Sequence, residues 1–182
     1  MEPGHTLILL RHAKSDWSGG EPDHERPLAA RGHRQAPEAG RWLAAHVDRI
    51  DLALVSSAER ACRTWSLAAA ELDDAPPVRL DDLLYGASGA SLLSVVHDLR
   101  EDLSTVVMVG HNPGLEDLAS TLAGTWVPMP TSALAVLTLA GAWAEAGPSS
   151  VELRTSGRPP PSVEPLQTIL GAARGGKRGT DP

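Results

Sequence analysis

Short apolar runs set off by polar turns, alternating with longer stretches of mixed character, give this chain its plan. Leu7-Ile8-Leu9-Leu10, Leu52-Ala53-Leu54-Val55 and Val106-Val107-Met108-Val109 each pass without a charge. Runs that short, apolar throughout instead of alternating, suit strands buried on both faces of a parallel sheet. Between them the period lengthens. Ala36, Gly40, Leu43 and Val47 recur at helical spacing within Arg31–Val47, and Glu59–Glu71 is alanine-rich up to the breakers Asp73-Asp74 and Pro76-Pro77. Leu92, Val95, Val96 and Leu99 mark a third helix, with Ser88 or Ser91 as its N-cap. Leu115, Leu118 and Leu122 mark a fourth, with Pro113 in the first turn, where a missing N–H costs nothing.

The later pattern is weaker. Val78–Leu80 is a short strand or merely extended chain, and Ser132–Leu139 and Ser150–Arg154 predict two further strands around a turn at Gly147-Pro148. A connection that short makes a hairpin, so at least one strand runs antiparallel. Strands alternating with helices predict an α/β fold: a three-layer α/β/α sandwich on a mostly parallel central sheet, with helices on both faces. The domain is expected to span 1–155. From Ser156 the chain turns rich in Pro, Gly and basic residues, so 156–182 reads as a partly disordered tail, with a short docked piece near Val163–Leu170 and disorder from Gly171.

Composition narrows the partners. The 182 residues suffice for one domain with a full core. No long uncharged run and no leader-like segment precedes the first strand, which predicts a soluble, cytoplasmic protein with no membrane partner. A net charge of -7 argues against nucleic acid as a partner. The single cysteine, Cys62, excludes an internal disulfide and a thiolate cluster, and the histidines lack metal-ligand spacing, so neither metal nor cofactor is expected.

The chemistry gathers at strand ends. Two apolar runs finish in histidine turns, Leu10-Arg11-His12 and Val109-Gly110-His111, and a third finishes at Ser56-Ser57 with Arg60 one short loop on. Ligands of open α/β sheets collect beyond the carboxyl ends of the strands. Two arginines, two histidines and two helix N-termini on one rim would suit a dianionic tetrahedral group. That group is phosphate.

Taken in order, Arg11-His12-Ala13-Lys14-Ser15, Ser56 to Thr64 and Gly110-His111-Asn112-Pro113 resemble the histidine phosphatase superfamily, most of all its bacterial phosphohistidine phosphatases of the SixA type. Arg26-Pro27-Leu28, Arg31-Gly32 and Pro130-Thr131-Ser132-Ala133 extend the likeness over Thr6 to Arg154. The resemblance implies a phosphoglycerate mutase-like fold and a metal-independent phosphatase in which His12 becomes phosphohistidine. It implies that Arg11, Arg60 and His111 hold the phosphoryl oxygens. Ala13 replaces the usual glycine, which removes the freedom to take a positive φ. Relatives in the superfamily carry an acidic proton donor in a middle loop; Asp82 is the candidate here, set against a merely solvated aspartate. Lys14, Ser15, Ser18 and Asn112 are candidates for lining the pocket. Asn112 also has a structural reason to stand at a helix start.

Between Arg60 and His111 there is room for one helix and loops, not for a cap domain. An uncovered pocket points to phosphohistidine carried on a protein as substrate. A general phosphomonoesterase acting on a sugar or nucleotide phosphate is the alternative. A mutase and a non-catalytic phosphate-binding module stand behind both.

Overall fold

In a computed structural model of the protein, which describes residues 4–159, the chain forms a six-stranded sheet between two pairs of helices. The elements in order are β1 (His5–Arg11), α1 (Ala30–His46), β2 (Leu52–Ser56), α2 (Glu59–Ala69), β3 (Val78–Asp81), α3 (Gly89–His97), β4 (Thr105–Gly110), α4 (Gly114–Ala123), β5 (Leu134–Leu139) and β6 (Val151–Gly157). The strand order is β3-β2-β4-β1-β5-β6. The pairs β3–β2, β2–β4 and β4–β1 are parallel, whereas β5 runs antiparallel to both β1 and β6. This is the mostly parallel α/β sandwich that the pattern predicts.

Strand alternation divides the core in two. Leu7, Leu9, Leu54 and Met108 pack with Leu92 and Val96 of α3 and Leu115 and Leu118 of α4. Ile8, Leu10, Val55, Val107 and Val109 face the other way, onto Ala39 and Leu43 of α1 and Trp65 of α2. Because helices cover both faces, the central strands have no polar side, and Leu7–Leu10, Ala53–Val55 and Val106–Val109 are fully buried. The side chain of Ser88 caps α3, accepting from the Ser91 N–H.

Several boundaries move. Pro113 stands just outside α4 as its N-cap. Helix α2 ends at Ala69, and Glu71 and Leu72 turn back on it by hydrogen bonds to Ala68 and Ala69 carbonyls. Strand β5 begins at Leu134 because Ser132 takes φ 63° and the Ala133 N–H bonds back to Pro130, closing a turn. Strand β6 runs through Ser156 and Gly157, which pair with Ala135 and Leu134, beyond the predicted strand end at Arg154. Polar residues build this last stretch, and the register slips between Val136 and Leu137, leaving Arg154 without an opposite number. The docked piece near Val163–Leu170 and the tail from Gly171 lie outside the described residues.

Candidate active site

The register of the two central strands brings the histidines together. β1 and β4 pair with Arg11 opposite Gly110, so His12 and His111 are each the next residue on. The His12 N–H donates to the Gly110 carbonyl at 3.0 Å, and the imidazole centroids lie 5.1 Å apart at 52°. On the other side of β4, β2 pairs Val55 with Val109. Just beyond that pair, Ser56 Oγ and His111 Nε2 are hydrogen-bonded at 2.8 Å.

His12 is held in one tautomer. Its Nδ1–H donates to the Ala13 carbonyl at 2.8 Å, which leaves the lone pair on Nε2. Burial, then the neighbouring charge of His111, Arg60 and Arg11, lowers its pKa to about 3. Burial first, then Arg60 and Arg11, lowers that of His111 to about 4, against an opposing pull from Asp23. Both imidazoles are therefore neutral at ordinary pH.

The arginines sit beside them. Arg11 donates from Nη1 to the Met129 carbonyl at 2.8 Å, and burial lowers its pKa. Arg60, in the first turn of α2, is 5 % exposed. The Nε of Arg11, the Nε of Arg60 and the Nδ1 of His111 are buried without a hydrogen-bond partner. Such groups are costly unless an acceptor comes to them. Among the described residues no group of three or more His, Cys, Asp or Glu side chains is arranged to hold a metal ion. Nor is any helix there long and apolar enough to cross a membrane.

Comparison with known proteins agrees with this geometry. The sequence profile of the histidine phosphatase superfamily (branch 1) matches residues 7–86. An uncharacterised protein of Mycobacterium tuberculosis is 39 % identical over 155 residues, covering 79 % of this chain and 96 % of its own. Among solved structures, a protein assigned as the phosphohistidine phosphatase SixA of Agrobacterium tumefaciens is 31 % identical, with TM-score 0.69 over 74 % of this chain and 92 % of that one. Another assigned to SixA, from Nakamurella multipartitia, is 29 % identical, with TM-score 0.76 over 87 % of this chain and 98 % of that one. The chain belongs to the histidine phosphatase superfamily.

As a member it is a phosphatase, and the remaining candidates can be placed within it. Ala13 keeps an ordinary negative φ and packs with Leu28 and Ala36, so the missing glycine is absorbed without strain. Lys14 is exposed; its main chain, not its ammonium, is engaged, by Gln35 Oε1 and by the Ala29 N–H. Ser15 is buried, and its hydroxyl accepts from Arg26. Ser18 is exposed, with its hydroxyl donating to Asp16 at 2.7 Å. Asn112 donates to the Met129 carbonyl that Arg11 also uses, and to Glu116. Asp82 is exposed and opens a short turn after β3.

What this phosphatase sets against His111 from the middle loop is Tyr85, its ring edge-on at 5.6 Å. His24, read from sequence as an ordinary histidine, bonds Ser57 Oγ at 3.0 Å and stands edge-on to Tyr85. Thr64 Oγ1 donates to the Arg60 carbonyl at 2.6 Å and accepts from the Ala13 N–H at 3.0 Å, tying the start of α2 to the turn after β1. Asp23 bonds Arg60, Arg26 and Tyr85 at once. Sequence reasoning passed over Ser56, Thr64, Tyr85 and Asp23. Only the segment Ser56–Thr64 and the Asp23-x-x-Arg26 spacing hinted at any of them.

Proposed function

We propose that this histidine phosphatase hydrolyses phosphohistidine carried on a protein, through a phosphoenzyme on His12. The observation that carries the reading is the fixed tautomer of His12. With Nδ1–H committed to the Ala13 carbonyl, Nε2 is the one basic atom, and burial, helped by the charge of two arginines, keeps it unprotonated.

In the first step the Nε2 lone pair attacks phosphorus as the bond from phosphorus to the substrate nitrogen breaks. The leaving imidazole keeps the electron pair of that bond and departs neutral once protonated. Arg11, Arg60 and His111 donate to the non-bridging oxygens, the charge of the transferred group being spread over them. In the second step water attacks phosphohistidine, releases inorganic phosphate and restores neutral His12. No step calls on a metal. A phosphorylated imidazole already bearing its proton needs little help from a general acid, which agrees with an exposed Asp82.

The lack of a cap between Arg60 and His111 supports a protein substrate. The chain between Arg60 and His111 is spent on the rest of α2, on β3, α3, β4 and their connections, with no segment long enough to form a separate roof. Trp17, Leu83 and Trp126, on loops that follow β1 and β3 and precede β5, are each about 70 % exposed.

The deciding experiment compares kcat/KM for a phosphohistidine-bearing carrier protein with that for a panel of sugar and nucleotide phosphates, with and without chelator. The carrier is expected to win, and turnover to survive chelation. A metabolite favoured by orders of magnitude would make the protein a phosphomonoesterase instead. His12→Ala is expected to abolish an acid-labile phosphoenzyme; persistence of that species would remove His12 as nucleophile.

A further inference from the structure

The loop between β1 and α1 is pinned at its base and carries its tip to Arg60 and Tyr85. The Asp16 N–H donates to the Pro27 carbonyl, the Ala29 N–H donates to that of Lys14, and Ser15 bridges Leu28. At the tip a single 3-10 turn, Asp23–Glu25, presents Asp23 to α2. The Asp23 carbonyl accepts from Arg60 Nη1 at 2.6 Å, and Oδ2 accepts from Arg60 Nη2 at 3.1 Å. Oδ2 also accepts from the Tyr85 hydroxyl at 2.7 Å, and Oδ1 from Arg26 Nη2 at 2.9 Å. One aspartate therefore joins the β1–α1 loop, the start of α2 and the turn after β3.

Three roles are open to a carboxylate in that place. It could give a proton, compete with phosphate for Arg60, or aim Arg60. The first fails on charge. Hydrogen bonds from Tyr85 and Arg26, with the charge and hydrogen bond of Arg60, hold Asp23 ionised far below the usual carboxylate range. The second is met by counting donors. A guanidinium has five N–H groups in a rigid plane, and Asp23 engages only the Nη1 and Nη2 side. Arg60 Nε remains buried and unpartnered. A planar group gripped by a main-chain carbonyl and a carboxylate can neither rotate about its axis nor slide.

We propose that Asp23 is a positioning residue for phosphoryl transfer: its clamp on Arg60 sets the direction in which the remaining guanidinium N–H groups meet the transferred phosphoryl oxygens. The inference rests on the phosphoenzyme chemistry proposed above and goes beyond it by naming what orients Arg60. Arg26 completes the device, since it ties the same carboxylate to buried Ser15, three residues beyond His12.

The test measures kcat and KM for the phosphohistidine carrier with wild type, Asp23→Asn and Asp23→Ala, each also on an Arg60→Lys background. Side-chain NMR of the Arg60 Nε–H is recorded on the proteins that retain Arg60. Asp23→Ala is expected to lower kcat roughly ten- to hundredfold, the size of effect that misaimed groups produce, with KM changed less than about threefold. Asp23→Asn, which keeps one acceptor, should fall between it and wild type. On the Arg60→Lys background the further loss should shrink to less than about threefold, because residues acting through one another are not additive. The sharp Arg60 Nε–H signal of wild type should broaden in Asp23→Ala while the amide spectrum stays folded. An unchanged kcat, a kcat that rises, or an equal loss on both backgrounds overturns the proposal. If wild type turns over no phosphohistidine, the functional reading fails by itself. The clamp is then judged by the NMR signal alone, and an Arg60 Nε–H unaffected by Asp23→Ala refutes it.

Discussion

His12 and His111 exchange water for a dry site between arginines, and their proton affinity records it. An ordinary imidazole titrates near 6.5; these two are lowered to about 3 and about 4. Below 6.5 the unfolded chain therefore binds protons that the folded chain refuses. Stability from these two residues is complete above about pH 6.5 and is lost as pH falls toward their folded values. The Cε1–H resonances of His12 and His111 are expected to keep neutral-form shifts down to about pH 5, and the melting temperature to rise from that pH to neutrality. Midpoints near 6.5 for both would contradict the buried site. Thr64 offers a second check at this scale. Thr64→Val keeps the shape but leaves the buried Ala13 N–H without its acceptor, an expected loss of about 1–3 kcal/mol in urea unfolding. Arg11, His12, Arg60 and His111 were legible because each follows an apolar run by a few residues. Thr64 was not, since its hydroxyl serves an amide 51 residues away.

At the scale of elements, close approach decides what the pattern leaves open. α1 can lie against the end of β1 only because residue 32 has no side chain. A Cβ on Gly32 would come within 2.1 Å of the Lys14 carbonyl. Gly32→Ala is expected to push the helix from that strand end and cost about 1–3 kcal/mol, read from chemical denaturation, with a fall in activity as Gln35 loses the Lys14 N–H. The turn before β5 acts on the same strand end. There the Ser132 N–H donates to both the Arg11 and His12 carbonyls, at 3.1 and 3.2 Å, and its hydroxyl donates to the Gln35 carbonyl. A serine at φ 63° is strained, and these bonds hold it there. The strands and helices were readable from periodicity, but this turn was not, because it is stabilised by partners from β1 and α1.

For the whole molecule the sheet order matters most. β1 and β4 are neighbours although two strands and three helices separate them in sequence, and the turns that follow both open on one rim. Among the described residues that rim has loops around it and no separate roof. If its openness is what admits a protein, kcat/KM for an intact phosphohistidine carrier should be at least equal to that for a short phosphohistidine peptide. A roofed pocket aligns only small substrates, and the carrier would then lose by roughly a hundredfold.

The sequence by itself determined the strand–helix alternation, the covering of both sheet faces and the four candidate residues at the strand ends. These are local properties: an apolar run, its length, and the polar residue that ends it. Only the tertiary structure decided how the pocket is aimed. Asp23 reaches Arg60 across 37 positions and Tyr85 across 62, and Ser56 meets His111 across 55. Bonds that span such distances leave no periodic trace, because each depends on strand order and loop path and not on neighbours in the chain.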